Sequence, residues 1–289
     1  SSPPATLSSF SEYELSLQET HRLMLPKKLL GQNFLIDEKI ASRIVEAVDI
    51  RKGDIVVEVG PGRGILTEKI LNLPCKLFAV ELDRGLYSSL QRRLGDRKKL
   101  KLVRGDFLRF DLRLAAKEGK LKLVGNLPYR ITGPVMRKIV GDREVIEAAV
   151  FMVQKEVADR LSASSGTKAY GLLSIFVQVY ARLEKLFQVS PKCFRPQPKV
   201  SSTVVRITTR PIPLVKPEEE EFFFWMVKTA FSQRRKMLVN SLSGSLKISK
   251  GELEEKFREI GLEKHCRPEN VKIDEFLLLA SALNRERSR

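Results

Sequence analysis

Five short apolar runs, interspersed with stretches of helical spacing, organise the first half of the chain. Ile55-Val56-Val57-Glu58-Val59, Leu77-Phe78-Ala79-Val80-Glu81, Leu100 to Val103, Leu121-Lys122-Leu123-Val124-Gly125 and Ala148 to Val153 read as buried strands. Between and before them, apolar residues recur at helical intervals: Ile40, Ile44, Val45 and Val48 behind a candidate N-cap at Asp37, then Leu66, Ile70 and Leu71, then Leu86, Leu90 and Leu94, then Val135–Val140. Strands alternating with helices predict βαβ units and a mainly parallel sheet covered on both faces. Ser201–Ile207 predicts a late strand at the sheet edge, paired with one near 182–189. The segment from Arg210 to Pro217 is punctuated by prolines, and helical patterns at 218–242, 250–260 and 273–284 follow it without a strand signal. The pattern thus predicts a loosely ordered arm over 1–26, an α/β domain over 27–210 and a small all-helical domain over 211–289.

Three consecutive strand ends carry residues suited to a nucleoside-bearing cofactor. Gly60-Pro61-Gly62-Arg63-Gly64 lies between a strand and a helix, where glycines let the backbone turn tightly and approach a ligand. A dinucleotide fingerprint would need glycine at position 65, which is Ile65. The G-x-G-x-G spacing, with Glu58 before it, favours S-adenosylmethionine. Glu81 can accept both ribose hydroxyl hydrogens, or be an exposed strand-end charge. Asp106 can bind the adenine amino group with Phe107 as an apolar wall, or cap a turn. Ligands in open α/β sheets bind at this carboxyl edge.

Asn126-Leu127-Pro128-Tyr129 follows the fourth strand. The adenine amino nitrogen is a poor nucleophile because its lone pair is delocalised into the ring. The Asn126 side-chain oxygen and the Leu127 carbonyl can each accept one of its N–H hydrogens, favouring a tetrahedral nitrogen whose lone pair faces a methyl donor. Acceptors placed where positive charge develops act as an oxyanion hole with the signs reversed. Tyr129 can stack on the base, a contact worth about 1–3 kcal/mol. Phe194, in the stiff loop Cys193–Val200, is read as covering the opposite face of the base or as a core aromatic. The bland reading of the tetrapeptide is an ordinary strand-to-helix turn.

Charge narrows the partners. Lys and Arg total 52 against 35 Asp and Glu, a formal charge of +17, which favours a polyanion. The three cysteines lack CxxC spacing and only two histidines occur, so the sequence predicts a reducing compartment and no metal site. No apolar run approaches the roughly 20 residues needed to span a bilayer. The first 25 residues lack an apolar signal core, and Ser at position 1 is read as processing or a shortened chain.

Taken in order, Gly31–Leu35, Glu58–Gly64, Glu81, Gly105-Asp106, Asn126–Tyr129, Gln154–Ala158, Phe194–Val200 and Phe231–Lys236 resemble the KsgA-type ribosomal RNA adenine dimethyltransferases over roughly residues 27–285. The resemblance implies a Rossmann-like S-adenosylmethionine-dependent methyltransferase domain with a small helical C-terminal domain. It implies dimethylation at N6 of two adjacent adenosines near the 3′ end of small-subunit rRNA in a pre-ribosomal particle. By position, Gln32, Asn33, Leu35, Gly60, Glu81, Asp106 and Asn126 would contact the donor, and Asn126, Leu127, Tyr129 and Phe194 the adenine. The expected protein is a monomer of the cytoplasm or an organelle, without membrane or metal, and the arm before Pro26 departs from the compact bacterial pattern. Phe222–Trp225 and Phe231–Lys236 are predicted on one helix, the aromatics as core. Arg234, Arg235 and Lys236 are read as phosphate contacts or as a solvated face. Rival readings are a non-catalytic assembly or transcription factor on this fold and a DNA adenine methyltransferase.

Overall fold

Every residue of the strand Ile55–Val59 is buried, Glu58 included, as expected of a largely apolar strand with neighbours on both sides and helices on both faces. The computed structural model describes residues 33–128, 130–233 and 236–287; the expected arm over 1–26, Gln32, Tyr129, Arg234 and Arg235 lie outside the described residues. The described chain enters through β1 (Phe34–Leu35) and α1 (Glu38–Ala47). Asp37 caps α1, its Oδ1 accepting from the Ile40 amide at 3.0 Å. Strands and helices then alternate: β2 (Ile55–Val59), α2 (Ile65–Leu71), β3 (Lys76–Glu81), α3 (Arg84–Leu94), β4 (Leu100–Arg104), the short α4 (Leu112–Ala115), β5 (Leu121–Asn126), α5 (Thr132–Gly141), β6 (Ile146–Gln154) and α6 (Lys155–Leu161). After α7 (Leu172–Tyr180) come β7 (Ala181–Val189), β8 (Phe194–Arg195) and β9 (Ser202–Thr209).

The seven-stranded sheet runs β4-β3-β2-β5-β6-β9-β7. The first five strands are parallel and β9 is antiparallel to both its neighbours. This is a Rossmann-like α/β sheet. β9 pairs with β7 as expected, but it is not the edge strand. Ser202–Val205 and Ile207 are all buried, so β9 needs cover on both sides and lies between β6 and β7; the more exposed β7 takes the edge. The serines and threonines of β9 gave it the polar look of an edge.

Strand order reverses between β2 and β5, which opens a crevice at their carboxyl ends. Gly125 lets the two strands close there. A Cβ on Gly125 would stand 2.6 Å from the Val59 carbonyl oxygen, so backbone would have to move. Gly125→Ala should therefore lose about 1–3 kcal/mol through overpacking. Urea unfolding checks this, and an unshifted midpoint would refute the close approach.

Two compact units emerge. Residues 33–162 and 180–212 hold the sheet; residues 163–179 and 213–287 form a helical unit. Its C-terminal part comprises α8 (Glu220–Ser232), α9 (Leu238–Leu246), α10 (Lys250–Glu259) and α11 (Ile273–Arg287). The division after residue 212 falls close to the proline-rich linker, yet the helical unit also takes residues 163–179 from earlier in the chain. Phe176 of α7 packs edge-on against Phe224 of α8, with centroids 5.6 Å apart. Phe222, Phe223 and Phe224 are buried as core. Lys236, however, does not share a helix with them. Gln233 leaves helical geometry at φ −125°, ψ 54°, and Met237 is extended, so the predicted helix over 218–242 is two helices with Lys236 in the break. No glycine or proline marks that break in the sequence.

Candidate active site

The carboxyl ends of β2, β3 and β4 are stitched together by backbone. The Gly60 amide donates to the Val80 carbonyl at 3.0 Å, and the Gly105 amide to the Glu81 carbonyl at 2.9 Å. These bonds bring three sequence-predicted donor positions, Gly60, Glu81 and Asp106, to one rim. Gly60, Gly62 and Gly64 all have positive φ, at +65°, +59° and +89°. In this left-handed region a side chain is strained, so the turn from β2 into α2 depends on glycine. Gly62 also lies against Phe34, whose Cδ1 would be 3.3 Å from a Cβ at that position.

Glu81 is only 3% exposed, so it is not the exposed strand-end charge that its sequence position also allowed. Its Oε2 accepts from the Gly62 amide at 2.9 Å and its Oε1 from the Asp83 amide at 2.8 Å. Burial raises its proton affinity while the two amides oppose that rise. Asp106 follows β4, and its Oδ1 accepts from the Leu108 amide at 2.9 Å, capping the turn Phe107–Arg109. The capping reading of Asp106 therefore holds for one of its oxygens. Phe107 is buried.

Glu58 was legible only as an acid ahead of the glycine loop; its partner was not. Its Oε2 accepts from the Thr67 hydroxyl at 2.7 Å, tying β2 to α2 beneath the loop. Burial pushes its carboxyl up to about 7 from the usual 4.5, against the Thr67 hydrogen bond and with help from the Glu81 charge. The folded chain thus holds this proton more tightly than the unfolded chain does. The stability it contributes is full below about 4.5 and is lost as pH rises through about 7. Glu58→Gln should remove this dependence, so its melting temperature should gain on wild type between about pH 5 and pH 8. Thermal melts at both pH values check it; a gap that does not change with pH would contradict it.

At the end of β5, the Asn126 amide is oriented by a bond that few sequence readings would find. Its Nδ2 donates to the Asn33 carbonyl at 3.0 Å. A carbonyl can only accept, so the bond fixes which end of the amide is nitrogen and turns Oδ1 away from Asn33. Asn33 thereby serves the site through its backbone. The Leu127 side chain is 1% exposed, and its amide donates to the Met152 carbonyl at 3.0 Å, so only its own carbonyl is left for an acceptor role.

Phe194 sits in the short strand β8. β8 pairs with β1, Phe194 opposite Leu35, and both side chains enter the core cluster with Val124, Val150 and Met152. At 1% exposure the Phe194 ring packs in the core, the second of the two placements that the sequence offered for it. Leu35, expected at the donor, is likewise 5% exposed. Among the described residues no cluster of His, Cys, Asp and Glu could hold a metal, and no helix is long and apolar enough to cross a membrane.

These residues fit S-adenosylmethionine. A Cβ at Gly60 would meet nothing within 4 Å, so the loop faces open space. A buried carboxylate, Glu81, stands at the second strand end and Asp106 just beyond the third. The fold and this rim define an S-adenosylmethionine-dependent methyltransferase. The chain belongs to the ribosomal RNA adenine dimethylase family, which it matches over residues 25–285. A relative in Alkaliphilus oremlandii (strain OhILAs), named ribosomal RNA small subunit methyltransferase A, is 39% identical over 288 residues, 98% of this chain and 97% of its own length. Another of that name, in Desulfitobacterium hafniense (strain DSM 10664 / DCB-2), is 45% identical over 257 residues, covering 89% and 91%. The crystal structure of the 23S rRNA methyltransferase ErmE is similar with TM-score 0.71 and 26% identity, covering 87% of this chain and 100% of that one. A dimethyladenosine transferase from Plasmodium falciparum shares the fold at TM-score 0.73 and 24% identity, covering 88% and 98%.

Proposed function

We infer that the protein dimethylates N6 of two adjacent adenosines near the 3′ end of small-subunit rRNA, acting as a monomer on a pre-ribosomal particle. Family membership and relatives named for the small ribosomal subunit support this reading. The observation that carries the chemistry is the Asn126 amide, held by the Asn33 carbonyl at the end of β5.

Bound S-adenosylmethionine supplies an electrophilic methyl group on a positively charged sulfur. Asn33, Gly60, Glu81, Asp106 and Asn126 would hold the donor at the rim, Gln32 would add a further donor contact, and Leu35 would support it from the core. Asn126 Oδ1 and the Leu127 carbonyl accept the two amine hydrogens, so the nitrogen lone pair is turned toward the donor. Both acceptors are fixed before substrate arrives, which lowers the reorganisation needed as positive charge grows on nitrogen. Holding amine and donor in line supplies a further part of the acceleration. No strong base is needed, because the proton becomes acidic once the nitrogen carries the extra carbon. Tyr129 stacks on the adenine, and Arg234, Arg235 and Lys236 contact phosphates. The net charge of +17 suits such a substrate in the cytoplasm.

Mass analysis of nucleosides from small-subunit particles, naked rRNA and duplex DNA, each incubated with the protein and donor, tests this. N6,N6-Dimethyladenosine is expected from the ribosomal particles. Methylation confined to DNA, or none at all, would overturn the reading.

A further inference from the structure

At the carboxyl end of β6, one strand over from Asn126, the surface opens into a cleft of about 470 Å³. Its lining is Gln154, Lys155, Glu156, Asp159, Val200 and Ser201, from the end of β6, the start of α6 and the entry to β9. Backbone holds the walls together. Gln154 pairs opposite Ser202 in the ladder, and the Lys155 amide donates to the Ser201 carbonyl at 3.0 Å. The charges do not suit a phosphate. Lys155, the one cation of the lining, is held on Asp159 Oδ2 at 2.8 Å, and Glu156 adds a second acid. Lys185 Nζ takes the other Asp159 oxygen at 3.0 Å. What the cleft offers instead is an amide and an apolar wall. Gln154 stands at the cap position of α6 without capping it, and its side chain makes no hydrogen bond among the described residues. Val200 is 45% exposed. A side-chain amide presents one acceptor and one donor side by side, which matches the 6-amino group and N7 of adenine.

We propose that this cleft takes the adenine next to the target in the RNA strand, Gln154 Oε1 accepting from its 6-amino group and Gln154 Nε2 donating to its N7. The proposal rests on the reading of Asn126–Tyr129 as the acceptor site. Sheet register sets the spacing. Asn126 pairs opposite Met152, the Leu127 amide donates to the Met152 carbonyl, and Gln154 lies two residues further on. Adjacent strands stand about 4.8 Å apart and two residues span about 7 Å, a separation that one step of a splayed single strand can bridge. The other side of β5 is closed to the neighbour, because β2 and the donor loop Gly60–Gly64 lie there. Val200 covers part of the flat face of the base. A lone adenine is common in RNA, so a second reader one strand away restricts transfer to an adenine pair.

The test uses small-subunit particles whose rRNA 3′ segment is a ligated synthetic strand. Each of the two target adenosines is replaced in turn by purine riboside, which lacks the 6-amino group, and methylation of the remaining adenosine is followed. Wild type should lose about tenfold in kcat/KM for one of the two replacements, the one that puts purine in the cleft. Gln154→Ala should show that loss at the same adenosine in unmodified particles already, with no further loss when its neighbour is purine. Gln154→Glu, which offers N7 no donor, should lose activity there too. Both variants should melt as wild type does and bind S-adenosylmethionine equally well. Wild type indifferent to both replacements, a fully active Gln154→Ala, losses that multiply when variant and purine are combined, or a loss confined to donor affinity would each overturn the subsite and leave the acceptor reading standing. Wild type that forms no dimethyladenosine on unmodified particles would overturn both.

Discussion

Asn126→Ala should reduce single-turnover methyl transfer about 10²–10³-fold while changing donor affinity by less than about tenfold. The expectation follows from what the amide holds at each end. Its Nδ2 is anchored on the Asn33 carbonyl, so its oxygen is pre-aimed before any substrate binds. Removing it deletes an acceptor that matters most as charge develops on the attacking nitrogen. Asn126→Asp separates aim from charge. The carboxylate keeps an acceptor but confronts the Asn33 carbonyl with a second oxygen, and repulsion there should swing the group out of position. Both variants should therefore fall together, with rate measured from radiolabelled donor and affinity by calorimetry. Wild-type turnover by Asn126→Ala would instead favour a binding factor on a methyltransferase fold.

Glu81→Gln should raise the dissociation constant for S-adenosylmethionine about 10²-fold, since bonds to a charged acceptor are worth about 1.5–3 kcal/mol each. The carboxylate accepts from two amides that cannot turn away, Gly62 at 2.9 Å and Asp83 at 2.8 Å. A glutamine offers one oxygen and one NH2 group, so one amide must face another donor. The glycine loop is then released on one side, and the ribose hydroxyls lose an acceptor. Turnover at saturating donor should stay near wild type, because nothing at Asn126 has changed. The rise in melting temperature on adding donor should shrink in step with the weaker binding. An unchanged donor affinity would sink the assignment of Glu81 to the ribose.

The two variants divide the rim along the line between what local pattern encodes and what it does not. Ile55–Val59 and the loop Gly60–Gly64 were legible because a buried strand is mostly apolar and a left-handed turn needs glycine. Glu81, Asp106 and Asn126 were legible because each ends a recognisable strand. The partners of those residues were not. Asn33 lies 93 positions from Asn126 and contributes a carbonyl that every residue possesses, so no residue type could announce it. Thr67 lies nine positions from Glu58, and only the packing of α2 on β2 brings its hydroxyl to that carboxyl.

What the sequence by itself determined is the alternation of strands and helices, the glycine turn and the chemical groups at the strand ends, all of which depend on near neighbours. Tertiary structure decided the rest. It placed β9 between β6 and β7 because a strand buried on both faces needs two partners, and it turned Phe194 into the core through the pairing of β8 with β1. It moved residues 163–179 into the helical unit, where an apolar helix without a polar face finds cover. Those outcomes depend on which surfaces meet across long separations, and burial of apolar area rewards any complementary partner regardless of its place in the chain.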